Sequence, residues 1–276
     1  MKGLPDNFPP ELWCGVWRLL NPSDRHRAVL VCKKWWASAL ADPRLWTEPS
    51  FFTTIHAKRC YCRRCAGDEY DARNPEGWRF VPDRLHGTSN ISSARSVLVR
   101  SRRLRIAVTV NFMAYRTDSD GVNVLASALL EHVDRIDRLC VGAADLGAYK
   151  LFMSHFTSFP TLQSLAPRFL ENEDGLCSST QFVGPNLQLP ELQTLRLAKV
   201  YRWPTRRTFP SLRSLSITAS GNILDLLFSV LPSCPNLTTF RLWIGPNVKP
   251  RAPSSARLTA LRTRAPPLQC VELANF

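Results

Sequence analysis

No run of this sequence reaches the roughly eighteen consecutive apolar residues that a membrane-spanning helix requires. The opening, MKGLPDNFPPELW, lacks the apolar core of a secretory leader, so an intracellular protein, cytoplasmic or nuclear, is expected. There is no glycine-rich phosphate loop, no Gly-x-Ser-x-Gly elbow and no His-Glu-x-x-His pair. The five histidines are dispersed; His132 and His155 fall near expected helix ends, where capping accounts for them. Carboxylates are few after residue 175. These absences leave little from which to assemble a catalytic centre, and the chain is read as a non-enzyme that needs no cofactor.

What is present is a 276-residue chain with an ordinary apolar share of 45%, enough for one large or two smaller domains. Nine cysteines, an odd number, are scattered along it, which suits buried thiols in a reducing compartment better than disulfides. The net charge is +14. Residues 1–105 carry 19 Lys and Arg against 10 Asp and Glu, and residues 196–276 carry 12 against 2. Such ends attract acidic protein, anionic lipid or nucleic acid. No nucleic-acid motif or interleaved aromatics accompany the charge, so nucleic acid is the weaker of these readings.

Three regions follow one another. Residues 8–46 are helical in pattern, 47–95 form an irregular linker, and 96–276 repeat a phrase; the expected class is α+β. In FPPELWCGVWRLL, Pro9 and Pro10 suit a helix start, where a missing N–H costs nothing. Leu12, Val16, Leu19 and Leu20 follow helical spacing, and Trp13 and Trp17 make a second apolar pair at i, i+4. The polar turn NPSD ends this helix, with Ser23 or Asp24 placed to cap the next. RHRAVLVCKKWWASALA continues as one helix or as two joined near Cys32, and DPRLW stops it. Five of the eight tryptophans fall in this short stretch. So small a unit cannot bury them all, and surplus apolar surface marks a partner site.

The string FPPELWCGVWRLLNPSDRHRAVLVCKKWWASALADPRLW resembles an F-box. That family runs Leu-Pro-x-Glu-Leu/Ile, a helix ending in Leu-Leu, a polar turn with Asp, an apolar Val-Cys-basic-x-Trp segment and a Pro-x-Leu-Trp close. This sequence departs at Phe8, where Leu is usual, and at the polar His26-Arg27. The resemblance covers about 40 of 276 residues. It implies docking onto the adaptor subunit of a Skp–cullin–F-box ubiquitin ligase, and through it a cullin. Carried over residue by residue, Phe8, Pro9, Leu12, Leu30, Val31, Cys32 and Trp35 or Trp36 would meet the adaptor. Adjacent residues on a helix diverge by about 100°, so of Trp35 and Trp36 one is expected inside the unit and the other near the adaptor. Trp46 would close the unit.

The phrase in 96–276 is a proline followed by Leu-x-x-Leu-x-Leu: FPTLQSLA from Phe159, LPELQTLRL from Leu189, FPSLRSLSI from Phe209, CPNLTTFRL from Cys234 and PPLQCVEL from Pro266. DRIDRLCV at 134–141 is a degenerate member. The last two apolar positions lie two apart, on one face of a short strand. Helical spacing precedes several phrases, at 121–133 and 221–231 and more weakly at 146–156 and 257–264; residues 190–217 leave no room for a full helix. Stacked, these units predict parallel strands with helices behind them. The pattern resembles the leucine-rich-repeat-like region of divergent fungal F-box proteins. It departs in the Ala166-Pro167 break and in a missing or displaced asparagine, and a short or truncated member is expected. The alternating residues would face outward and meet a protein substrate: Arg138, Arg196, Ser216, Arg241 and Trp243, with Thr194, Ser214, Thr218, Thr239 and Glu272 between or beside them. Trp243 flanked by Arg196 and Arg241 would anchor an acidic partner; the alternative is that it covers a neighbouring strand.

HAKRCYCRRCAG brings His56, Cys60, Cys62 and Cys65 within ten residues. Four soft ligands can hold zinc, but this is not a common finger spacing and no paired motif follows; a reduced linker is the alternative. Three classes therefore compete: an interaction protein joining a ligase to an unknown protein substrate, which leads; a basic nucleic-acid-associated repeat protein; and a metal-dependent module.

Overall fold

The protein is described from a computed structural model, in which residues 9–20, 22–53, 89–112, 119–143, 146–169, 186–200, 203, 208–219, 223–244 and 268–275 are described. Pro9 is extended and Pro10 takes the first helical position of α1, Pro10–Leu19. Helix α2 spans Pro22–Val29 and α3 spans Lys33–Ala41. They are separate because Cys32 is fully extended (φ −153°, ψ 162°). Ser23 and Asp24 fall inside the first turn of α2 rather than before it. A 3-10 turn at Pro43–Trp46 follows Asp42, whose carboxylate accepts from the Arg44 amide at 3.1 Å.

These pieces share a small core of Cys14, Trp17, Val29, Ala39, Leu45 and Trp46. The Trp46 indole donates to the Ala39 carbonyl at 2.9 Å. Arg25 is buried and ties the unit together. Its guanidinium donates to the carbonyls of Trp17 (3.2 Å), Arg18 (3.3 Å) and Leu20 (3.2 Å) at the end of α1, and to that of Leu45 (3.0 Å). A helix end leaves its last carbonyls without intrahelical partners; one planar cation supplies those of Arg18 and Leu20 and joins the Leu20 amide on that of Trp17.

Eight strands follow in a single parallel sheet whose order is the order of the chain. They are β1 Ser50–Phe52, β2 Ile106–Phe112, β3 Ile136–Ala143, β4 Ser164–Phe169, β5 Thr194–Val200, β6 Ser214–Ala219, β7 Thr239–Ile244 and β8 Cys270–Asn275. The proline phrase explains their spacing. Pro160, Pro190, Pro210 and Pro235 each sit second in a turn closed by an i→i+3 bond: Leu162 to Phe159, Leu192 to Leu189, Leu212 to Phe209 and Leu237 to Cys234. A fixed φ suits that position. The residue before each proline, the leucine two after it, and the residues five and seven after it are buried, so Leu165, Leu195, Leu215 and Phe240 line up as one column and Leu197, Ile217 and Leu242 continue the next. Side chains stitch successive turns: Thr161 donates to the Asp134 carbonyl (3.0 Å), Ser211 to that of Pro190 (2.6 Å) and Asn236 to that of Pro210 (2.7 Å).

Helices α4 (Ala94–Arg100), α5 (Ser119–Leu130), α6 (Leu146–Ser154) and α7 (Ile223–Ser233) contribute to the core that the sheet buries. Phe112, Phe152, Phe156 and Phe159 make a chain of ring contacts through it, with centroids 5.2, 5.1 and 4.7 Å apart in turn. The expected helices at 121–133, 146–156 and 221–231 are these; that at 257–264 lies outside the described residues. Between β5 and β6 the described residues hold no helix. The Ala166-Pro167 break lies within β4, and the ladder to β5 ends at Leu165, two residues before a residue with no N–H to give.

The linker expected over 47–95 is structured at both described ends. β1 pairs with β2, with Ser50 opposite Thr109. The outer edge of β1 is closed by Asn90, whose carboxamide accepts from the Phe52 amide and donates to the Ser50 carbonyl, both at 2.8 Å. Exposed strand edges template further pairing, and this closure removes one. Only three residues separate Trp46 from β1, so the helical unit passes directly into the sheet.

Candidate functional site

Two surfaces carry the residues singled out from the sequence. The first is on the helical unit. Leu12, Leu30 and Val31 are 53%, 59% and 66% exposed, and Pro9 and Cys32 are exposed as well. Phe8 lies outside the described residues. Val16 and Leu19 share the stripe of Leu12 at i+4 and i+7, with Leu19 88% exposed, and Leu40 is exposed on α3. Helical spacing from Leu12 is the sequence signal that Val16 and Leu19 share its outward stripe.

Trp35 and Trp36 are half-buried, and both find partners inside the molecule. Trp35 packs on Trp13 (centroids 4.6 Å apart) and Trp17 (5.4 Å). Trp36 points the other way and meets Trp46 edge-on at 6.1 Å. The Arg100 guanidinium of α4 stands 4.9 Å from the Trp36 ring centre and 4.8 Å from that of Trp46. The divergence of about 100° along one helix therefore serves two seams: one tryptophan closes the helical unit, the other fastens it to the sheet. Val97 of α4 packs against both cores. Both tryptophans thus have partners within the molecule, and each keeps part of its surface exposed.

The second surface is the face of the sheet opposite the buried columns. Register puts Arg138, Ser164, Thr194, Ser214, Thr239 and Cys270 in one row and Arg196, Ser216, Arg241 and Glu272 in the next. All lie on the face opposite the buried columns, because side chains alternate along a strand. The cations differ in what they meet. Arg241 is paired with Glu272, Nε to Oε2 at 2.7 Å. Arg138 reaches Glu48 at 3.7 Å. Arg196 makes no hydrogen bond or ion pair among the described residues. Trp243 stands opposite Thr218, one row on from Arg241. Arg196 is two strands away and a row back, so the expected flanking of Trp243 by Arg196 and Arg241 holds for Arg241 alone. At Gly142, on this same face, an added Cβ would lie 2.6 Å from the Asn111 side-chain oxygen, so glycine leaves room for that amide.

His56, Cys60, Cys62 and Cys65 lie outside the described residues; among the described residues no group of three His, Cys, Asp or Glu could hold a metal ion. His155 bonds Asn123 at 2.9 Å, whereas the buried Nε2 of His132 has no partner among the described residues and burial lowers its pKa below the usual histidine value. No described helix is long and apolar enough to cross a membrane.

No family model matches the chain, and no curated protein matches it. Among solved structures it is similar to a crystal structure of a Bacteroides fragilis protein from a structural genomics consortium, at 14% identity and a TM-score of 0.39, over 76% of this chain. The match takes in 60% of that protein's length.

Proposed function

We propose that this chain is the substrate receptor of a Skp–cullin–F-box ubiquitin ligase. In this reading Pro10–Trp46 is the F-box, and the sheet with its helices is a leucine-rich-repeat-like solenoid that holds a protein substrate. The observation that carries the reading is the exposure of Pro9, Leu12, Leu30, Val31 and Cys32. These are the positions that the F-box pattern assigns to the adaptor. Large apolar side chains gathered on one small unit mark a protein partner. The sequential parallel strands and their proline turns support the repeat reading. The receptor has no catalysis of its own; it raises the substrate's effective concentration beside a bound ubiquitin-conjugating enzyme.

The test is co-expression with a ligase adaptor subunit, followed by capture at low and high salt. Capture that persists at high salt and is lost in Leu12→Asp supports the reading. Because Leu12 is exposed, that substitution is expected to change stability by no more than about 0.5 kcal/mol, read as an unchanged melting temperature. No capture, or capture that salt abolishes, overturns it and makes nucleic acid the next partner to test.

A further inference from the structure

We infer that a groove across the turns that precede β5, β6 and β7 binds an extended polypeptide segment bearing an acidic and a basic residue two positions apart. The groove is about 540 Å³ and is lined by Glu191, Gln193, Ser211, Arg213, Asn236 and Thr238 around Pro210. It lies at the amino ends of the strands, and the inference does not depend on the ligase reading.

Two rows make the groove. The residue after each turn proline gives Glu191, Ser211 and Asn236; the residue before each strand gives Gln193, Arg213 and Thr238. The second row is held in step by backbone bonds, from the Arg213 amide to the Gln193 carbonyl and from the Thr238 amide to the Arg213 carbonyl, both 2.9 Å. Several side chains are locked by bonds to the chain itself: Ser211 to the Pro190 carbonyl (2.6 Å), Asn236 to that of Pro210 (2.7 Å) and Thr238 to that of Arg213 (3.0 Å). The wall is therefore ordered before anything binds, which lowers the entropic cost of binding.

What remains unused defines the ligand. Glu191 and Arg213 are exposed, make no hydrogen bond or ion pair among the described residues, and do not pair with each other although they line one groove. Among the described residues the Gln193 carboxamide makes no hydrogen bond, and Asn236 keeps an acceptor. A carboxamide both donates and accepts, and so matches the alternating N–H and C=O groups of an extended chain. Asn90 does this within the same molecule, against Phe52 and Ser50 of β1. Among the described residues that line it the groove has no aromatic platform for a sugar or base, and Glu191 opposes a polyphosphate. Arg213 takes the carboxylate of the segment as a charge-assisted pair, and Glu191 takes its cation. Glu191 stands in the turn before β5 and Arg213 just before β6, one strand spacing of about 4.8 Å apart across the sheet with an offset along the chain; two long side chains so placed can reach groups about 6.6 Å apart on one face of an extended peptide.

A displayed library of random octapeptides is selected against the full chain, and the selected peptides are measured by fluorescence anisotropy. The expected result is enrichment of an acidic and a basic residue two apart in one fixed order. Binding should fall at least about ten-fold in Arg213→Glu, with the melting temperature unchanged because the residue is exposed. The double variant Glu191→Arg, Arg213→Glu should prefer the reverse order. Selection without that spaced pair, or peptides that bind Arg213→Glu as tightly as the unaltered chain, would overturn the inference.

Discussion

The helical unit and the sheet treat large apolar side chains in opposite ways. Between Pro10 and Trp46, six such residues are exposed (Leu12, Val16, Leu19, Leu30, Val31 and Leu40), more than in all the other described residues together, where there are five. Along the sheet the apolar positions of β4 to β7 are buried in columns, and the opposite face holds mostly small or hydroxylated residues. The difference follows from what supplies the cores. The sheet buries its columns between strands and helices of its own. The helical unit builds much of its core from tryptophans, whose area is large for their number, and with Val29 and Leu45 inside it can leave most of its other large aliphatic residues outside.

The sharpest way to break this comparison is to put the same charge on each side of it. Leu215 of β6 is fully buried, and Leu215→Asp should cost about 5 kcal/mol or more, since an uncompensated carboxylate would sit in the core; circular dichroism should report loss of the fold at room temperature. The exposed Leu12 tolerates the same change, as stated above. A folded Leu215→Asp protein would mean that the columns are not the core.

A smaller effect tests how the tryptophan core is held. Arg25→Ala removes the side-chain donor of the Arg18, Leu20 and Leu45 carbonyls and one of two donors to that of Trp17, at a cost of about 2–4 kcal/mol. Chemical denaturation should show a lower midpoint, and tryptophan fluorescence should report the helical unit shifting first. The smallest effect concerns the seam. Arg100→Ala removes a cation held between two rings, worth about 1–2 kcal/mol. Unfolding of the helical unit and of the sheet should then separate into two transitions; if they stay coincident, the coupling rests on Val97 and the direct passage into β1 instead.

Much of the sheet was legible because its repeat is written in proline and leucine. The columns through Leu195, Leu215 and Phe240 lie where the phrase put them, and the weak member at 134–141 is a strand. β1 and β2 were not read, although Ile106, Val108, Val110 and Phe112 alternate with period two; that stretch has no proline phrase to announce it. The direction of Trp36 was not readable either. Its partners, Trp46 and Arg100, are ten and 64 residues further along the chain, and a local pattern says nothing about a contact of that range. The ion pair of Arg241 with Glu272 was hidden for the same reason, since register alone brings them side by side. The groove beside Arg213 was missed because turn residues were read only as punctuation.

The identity of strand order and chain order has a consequence for synthesis. Each strand from β2 onward pairs first with one already made, so the sheet can be laid down in the order of translation without waiting for a later segment. Asn90 gives that series a first member by sealing the outer edge of β1, and every later addition can be made on the opposite side. A ribosome-bound chain stopped after β4 would hold a smaller version of the same sheet, with one finished edge and one growing edge.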